Sequence, residues 1–210
     1  MAQRSLGQNL ASENSWRKAF TLAGKNATYL TQLAQVAETW GWIPERTQVL
    51  RQITSSYPKE KWALDQLMAQ LYAEGKTVEL KTLLSKSLNA DPKDVRLKNN
   101  FANILLLRKS DLDQANVMAK EAYDTSPENP FFISTYAYSL LLQKKPSEAL
   151  KVFENLKPEY LKIPSVAAYY GVVQAESGHK DIARKYIASA ENAKLLPEEK
   201  EMLRLAKAQL

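Results

Sequence analysis

Cysteine is absent from this 210-residue chain. That excludes disulfide frameworks, Cys-ligated zinc, iron–sulfur clusters and thiol nucleophiles. Histidine occurs once, as His179, which excludes every metal motif built on two histidines. Glycine and proline are sparse, six and nine residues or about 7% of the chain, against about 12% on average. The deficit argues against collagen-like and low-complexity chains and against a loop-rich β-sandwich. No hydrophobic run approaches the ~20 residues of a membrane span; the longest aliphatic stretch is Ile104-Leu105-Leu106-Leu107. Residues 1–8 contain no apolar h-region, so no signal peptide is expected, and no compartment is assigned. Nor is there a block of one charge. The 29 basic and 23 acidic residues intermingle for a net charge of +6. Without a basic stripe and interleaved aromatics, nucleic acid is not the expected partner.

What is present is a period. Pro58 and Pro92 lie 34 residues apart, as do Gly41 and Gly75, and Pro127 follows 35 residues after Pro92. With Ala27 as position 1, the chain divides into segments 27–60, 61–94, 95–129, 130–163 and 164–197. The third carries one extra residue, placed near Lys109–Ser110. Each segment reads as two helices and a short turn. In the fourth, Ile133, Tyr136, Ala137 and Leu140 share one helical face. Pro146 suits the first turn of a second helix, which presents Ala149, Phe153 and Leu156 before Pro158.

Position 8 holds Ala34, Met68, Ala102, Ala137 and Gly171; position 20 holds Arg46, Leu80, Ala115, Ala149 and Ala183. Interhelical distance follows the side chains at the contact. Small therefore faces small in the last three segments, which predicts close helix pairs there and wider ones in the first two.

On these residues the chain resembles the tetratricopeptide repeat (TPR) family, whose pattern places Gly or Ala, Tyr, Ala, Phe, Ala and Pro at fixed offsets in a 34-residue unit. The third to fifth segments match best. The resemblance covers 27–197 and implies an all-α solenoid, a right-handed superhelix of about five helix-turn-helix repeats. Residues 1–26 then form an N-terminal segment with a partial repeat helix carrying Trp16, Ala19, Phe20 and Ala23. Residues 198–210 form a C-terminal capping helix with Met202, Leu203 and Ala206 inward. The front end shows no clear cap, so the sequence reads as a fragment of a longer protein or as docking on another domain.

Catalytic chemistry finds little support. Ser177, His179 and Asp181 fall within five residues, but in an inter-helix turn, where such residues serve turns and caps. Glu198, Glu199 and Glu201 read as complements to a helix dipole, and Ser110 as an N-cap. No enzymatic role, metal or cofactor is expected. The resemblance instead implies a concave groove lined by positions 2, 5, 6, 9, 12 and 13 of each first helix. Candidate peptide-binding residues at these positions are Trp62, Tyr72, Arg96, Asn99, Asn100, Asn103, Tyr138 and Tyr169. An Asn amide offers a donor and an acceptor to an extended backbone, and aromatics supply contact area.

One version of the family clamps a chaperone C-terminus with a Lys, Asn, Asn, Lys, Arg set. The corresponding positions from the third repeat are Asn99, Asn103, Thr135, Ser165 and Tyr169, and only one matches, so that partner is not implied. The expected function is a non-catalytic scaffold that binds a peptide segment or helix of a partner protein in the groove. The alternatives are self-assembly through end faces, as a homo-oligomer, and a regulatory or substrate-presenting segment of a larger protein.

Overall fold

A computed structural model of the protein describes residues 7 and 9–210. Among them there is no strand, and the chain forms twelve α-helices and one 3-10 turn. They are α1 (Asn9–Ala23), α2 (Ala27–Thr39), α3 (Ile43–Ser56), α4 (Lys61–Ala73), α5 (Thr77–Ala90) and α6 (Val95–Leu107). Then come α7 (Leu112–Thr125), α8 (Pro130–Leu142), α9 (Pro146–Phe153), α10 (Pro164–Glu176), α11 (Lys180–Ala190) and α12 (Pro197–Lys207). Two compact units are distinguished, Met1–Gln70 and Leu71–Leu210. No described helix is long and apolar enough to cross a membrane.

In the first unit α1 packs on α2, and α2 on α3. The Trp16 indole donates to Gln48 Oε1 at 3.1 Å and meets Trp42 edge-on; Trp40 also meets Trp42, at 4.8 Å. In the second unit, pairs α6/α7, α8/α9 and α10/α11 stack in chain order as a solenoid. The small residues at positions 8 and 20 of these pairs lie in its core. Ala102 and Ala115, Ala137 and Ala149, and Gly171 and Ala183 are all buried. Gly171 packs closely on α11: a Cβ there would lie 3.0 Å from the Ile187 backbone nitrogen. Leu105 and Ile133 are fully buried around these contacts, each contributing about 1.5–3 kcal/mol.

The turns repeat in detail. Each first helix ends in a Schellman motif, in which a backbone N–H reaches five residues back: Trp42 to Ala37, Lys76 to Leu71, Ser110 to Leu105, Lys145 to Leu140 and His179 to Gln174, at 2.8–3.0 Å. The motif needs a left-handed residue at C′. Position 15 of every segment supplies it, as Gly41, Gly75, Lys109, Lys144 and Gly178, with φ between 50° and 83°. Glycine adopts this region freely; a lysine there costs about 1–2 kcal/mol.

Two local expectations are corrected. Helix α9 stops at Phe153, leaving Leu156 in a 3-10-like turn. Pro158 disfavours helix at Lys157, which is extended at ψ 137°, and Asn155 donates its amide to Tyr123 Oη at 2.6 Å. The extra residue of the third segment puts Asp111, itself left-handed, at the start of α7. Ser110 is therefore not the N-cap; its hydroxyl accepts from Lys81 Nζ at 3.2 Å.

Candidate functional site

The first helices of the second unit line a shared face, and α12 lies in it. It does not simply cover the last pair, as the cap expected for 198–210 would. Pro197 packs 3.3 Å from the Cβ position of Gly75, at the turn of the second segment. Glu198 accepts from the Thr77 hydroxyl at 2.6 Å and pairs with Arg108 at 3.3 Å. The far end is held by the last repeat. Lys180 donates to the Gln209 carbonyl at 2.9 Å, Arg184 donates to that of Leu210, and Gln209 Nε2 donates to Glu176 at 3.0 Å. Met202, Leu203 and Ala206 turn inward and are buried. Helix α12 is amphipathic, and its apolar stripe is turned into the groove.

Glu199 is the anchor. It is 1% exposed, accepts from the Leu196 backbone N–H at 2.9 Å and is hydrogen-bonded to the Tyr72 hydroxyl. The Tyr169 hydroxyl lies 3.0 Å from Glu199 Oε1 and 2.8 Å from Asn103 Oδ1. No cation pairs with it among the described residues. Burial raises its carboxyl above the ordinary 4.5, against the lowering effect of its hydrogen bonds. Burial likewise drives the Tyr72 and Tyr169 phenols upward, with Glu199 adding to both. The reading of Glu199 as a dipole complement is thus incomplete. It does cap the first turn of α12, but its side chain is buried in a tyrosine-lined seat.

Helix α12 leaves two openings beside it. One, of about 410 Å³, is lined by Tyr72, Asn99, Asn100, Asn103, Ser134, Thr135 and Tyr169, with Phe131, Leu195 and Glu199. The Asn99 amide donates to Asn100 Oδ1 at 3.3 Å, and its own Oδ1 is buried without a partner. The other, of about 660 Å³, lies between the C-terminal ends of α6, α8 and α10 and α12; it is lined by Tyr138, Leu141, Leu142, Val172, Met202 and Leu205, with charged residues at its edge.

Of the eight candidate residues, Tyr72, Asn99, Asn100, Asn103 and Tyr169 line the first opening and Tyr138 the second. Tyr138 and Tyr169 are nevertheless buried, their rings edge-to-face at 5.4 Å. Burial raises the Tyr138 phenol to about 12. They are floor, not free aromatic area. Trp62 belongs to the first unit and Arg96 lies beside Asp94 at 3.9 Å; neither lines these two openings. Reading positions along first helices alone missed Glu199, because its partners are 127 and 30 residues away. The one available signal was an acid at N3 of an amphipathic helix. In the suspected turn cluster, His179 Nδ1 meets Gln174 Oε1 at 2.6 Å, Asp181 pairs with Arg184 at 2.9 Å and the Ser177 hydroxyl has no partner, so none of the three is hydrogen-bonded to another.

No protein-family model and no curated protein matches the sequence. The crystal structure of a tetratricopeptide repeat protein from Parabacteroides merdae ATCC 43184 is similar over 98% of this chain and 80% of its own, at 19% identity and a TM-score of 0.55. That of PilW, a widely conserved type IV pilus biogenesis factor, is similar over 97% of this chain and 94% of its own, at 15% identity and a TM-score of 0.53. With its paired helices and recurrent turn, this chain has the tetratricopeptide-repeat fold.

Proposed function

We propose that the protein is a non-catalytic interaction scaffold that captures an extended segment of a partner protein in the asparagine-lined opening. The observation that carries this reading is the state of the three amides. Asn99 Oδ1 is buried and unpaired, and a buried polar atom without a partner costs about 1–3 kcal/mol. The Asn100 amide nitrogen has no partner among the described residues. Asn103 meets one hydroxyl, so whichever way its amide is turned one polar atom is left for the opening. Unmet donors and acceptors side by side suit a peptide backbone, which presents both. Phe131, 49% exposed at the mouth, offers a surface for a guest side chain.

A peptide array probed with the full chain tests this. Asn100→Ala and Asn103→Ala together are expected to lower affinity for any captured peptide by about tenfold or more, two lost hydrogen bonds at about 1 kcal/mol each. Unchanged capture by a variant of native helicity would refute the assignment.

A further inference from the structure

The second opening differs from the first in what its floor offers. Leu107, Leu141, Leu142 and Val172 line it, with Met202 and Leu205 of α12 as the facing wall. No amide side chain and no Ser or Thr hydroxyl lines it. An extended guest would lay its backbone N–H and C=O groups on apolar surface without partners, which is unfavourable. A helix satisfies those groups internally. The apolar floor therefore selects a helical guest.

The edge carries charge in an unusual way. Lys109 and Lys144 both line this opening, and they are the two position-15 residues that occupy the left-handed turn in place of glycine. Non-glycine residues in this region are mostly Asn, Asp or His, so backbone preference does not account for lysine. Packing does not either, since both residues are exposed. Nor are they committed to a partner: among the described residues neither makes an ion pair or a side-chain hydrogen bond. Two of the three acids of the same edge are paired with arginines, and the third, Glu176, is held by a neutral amide. Glu198 pairs with Arg108, Glu201 with Arg204 at 2.7 Å, and Glu176 accepts from Gln209. Lys109 also acts on Glu201 from a distance, a smaller effect than that of Arg204. Two uncommitted cations at the lip of an apolar trough complement an anion beside an apolar stripe.

We propose that this opening is a second docking site, for an amphipathic helix of a partner protein whose apolar stripe is flanked by Asp or Glu, with Lys109 and Lys144 meeting those carboxylates. The site stands on its own residues and does not depend on capture by the asparagines.

The test uses the full chain and two labelled helical peptides with the same Leu/Ala stripe, one flanked by Glu and one by Lys, followed by fluorescence anisotropy. The Glu-flanked peptide is expected to bind saturably, to bind more tightly than its Lys-flanked twin, and to weaken as salt rises. The double variant Lys109→Gly, Lys144→Gly is expected to lose roughly fivefold to tenfold in affinity, as for two surface ion pairs. Its melting temperature should be unchanged or higher, because glycine suits the turn, so lost binding is not lost folding. Asn100→Ala with Asn103→Ala should leave this binding intact, which separates the two sites. Equal affinity for both peptides, unchanged binding by the double glycine variant, or no saturable binding of the Glu-flanked peptide would each overturn the proposal.

Discussion

At the scale of one residue, Glu199 sets a problem in counting protons. The Tyr169 hydroxyl has one hydrogen but lies within bonding distance of two acceptor oxygens, on Asn103 and Glu199. Either the Asn103 amide is turned to donate, or Glu199 carries the proton itself. Burial raises the carboxyl above its ordinary value. The sign of the pH effect follows. A carboxyl whose folded pKa exceeds its unfolded value contributes stability that is full below the unfolded value, near 4.5, and is lost as pH rises through the folded one. Glu199→Gln keeps the neutral shape. It is expected to match the natural protein in acid, to exceed it in stability above the folded pKa, and to remove part of its pH dependence. Urea midpoints from about pH 4 to about pH 8 check this. Glu199→Ala instead strands two hydroxyls and the Leu196 N–H, and should cost about 1–3 kcal/mol in the same measurement.

At the scale of the helix, much was legible in advance. The 34-residue spacing anticipated which helices pair, because pairing follows from local periodicity. Gly171 gives the sharpest test. Alanine would improve helix propensity by up to about 1 kcal/mol. Its Cβ, however, would meet Ile187 at 3.0 Å, at a backbone atom that cannot swing away. Overpacking costs about 1–3 kcal/mol, so the clash wins, and Gly171→Ala should lower the melting temperature while Ala137→Gly, across the equivalent contact, loses stability for the opposite reason. The early end of α9 was not legible from apolar spacing, since Leu156 continues the stripe. It was decided by Pro158 and by a hydrogen bond from Asn155 to another repeat. Likewise, the periodicity placed the asparagines along first helices, but nothing local to them indicated that Tyr138 and Tyr169 would be buried under a later helix.

At the scale of the whole second unit, α12 changes the kind of object the repeat makes. A stack in which each repeat touches only its neighbours gains stability from nearest-neighbour terms and unfolds piecemeal when those terms are uneven. Here bonds from Glu198 and Glu199 join residues 121 and 127 positions apart, and another spans 90. They tie the second and third segments to the end of the chain. Met202 and Leu203 are buried beside them, worth about 1.5–3 kcal/mol each. A chain ending at Ala193 should therefore stay helical by far-ultraviolet circular dichroism yet unfold over a broader urea range, with a lower slope because less surface is exposed at once. The same truncation leaves the tyrosine seat open. A synthetic peptide of residues 194–210 is expected to bind the truncated chain saturably and to leave the full chain untouched, where its own α12 already fills the seat; a peptide carrying Glu199→Ala should bind more weakly by about tenfold, the loss of a buried hydrogen-bonded anchor. If the truncated chain kept the sharp transition of the full one and ignored the peptide, α12 would be a passenger on this face and not the tie that closes it.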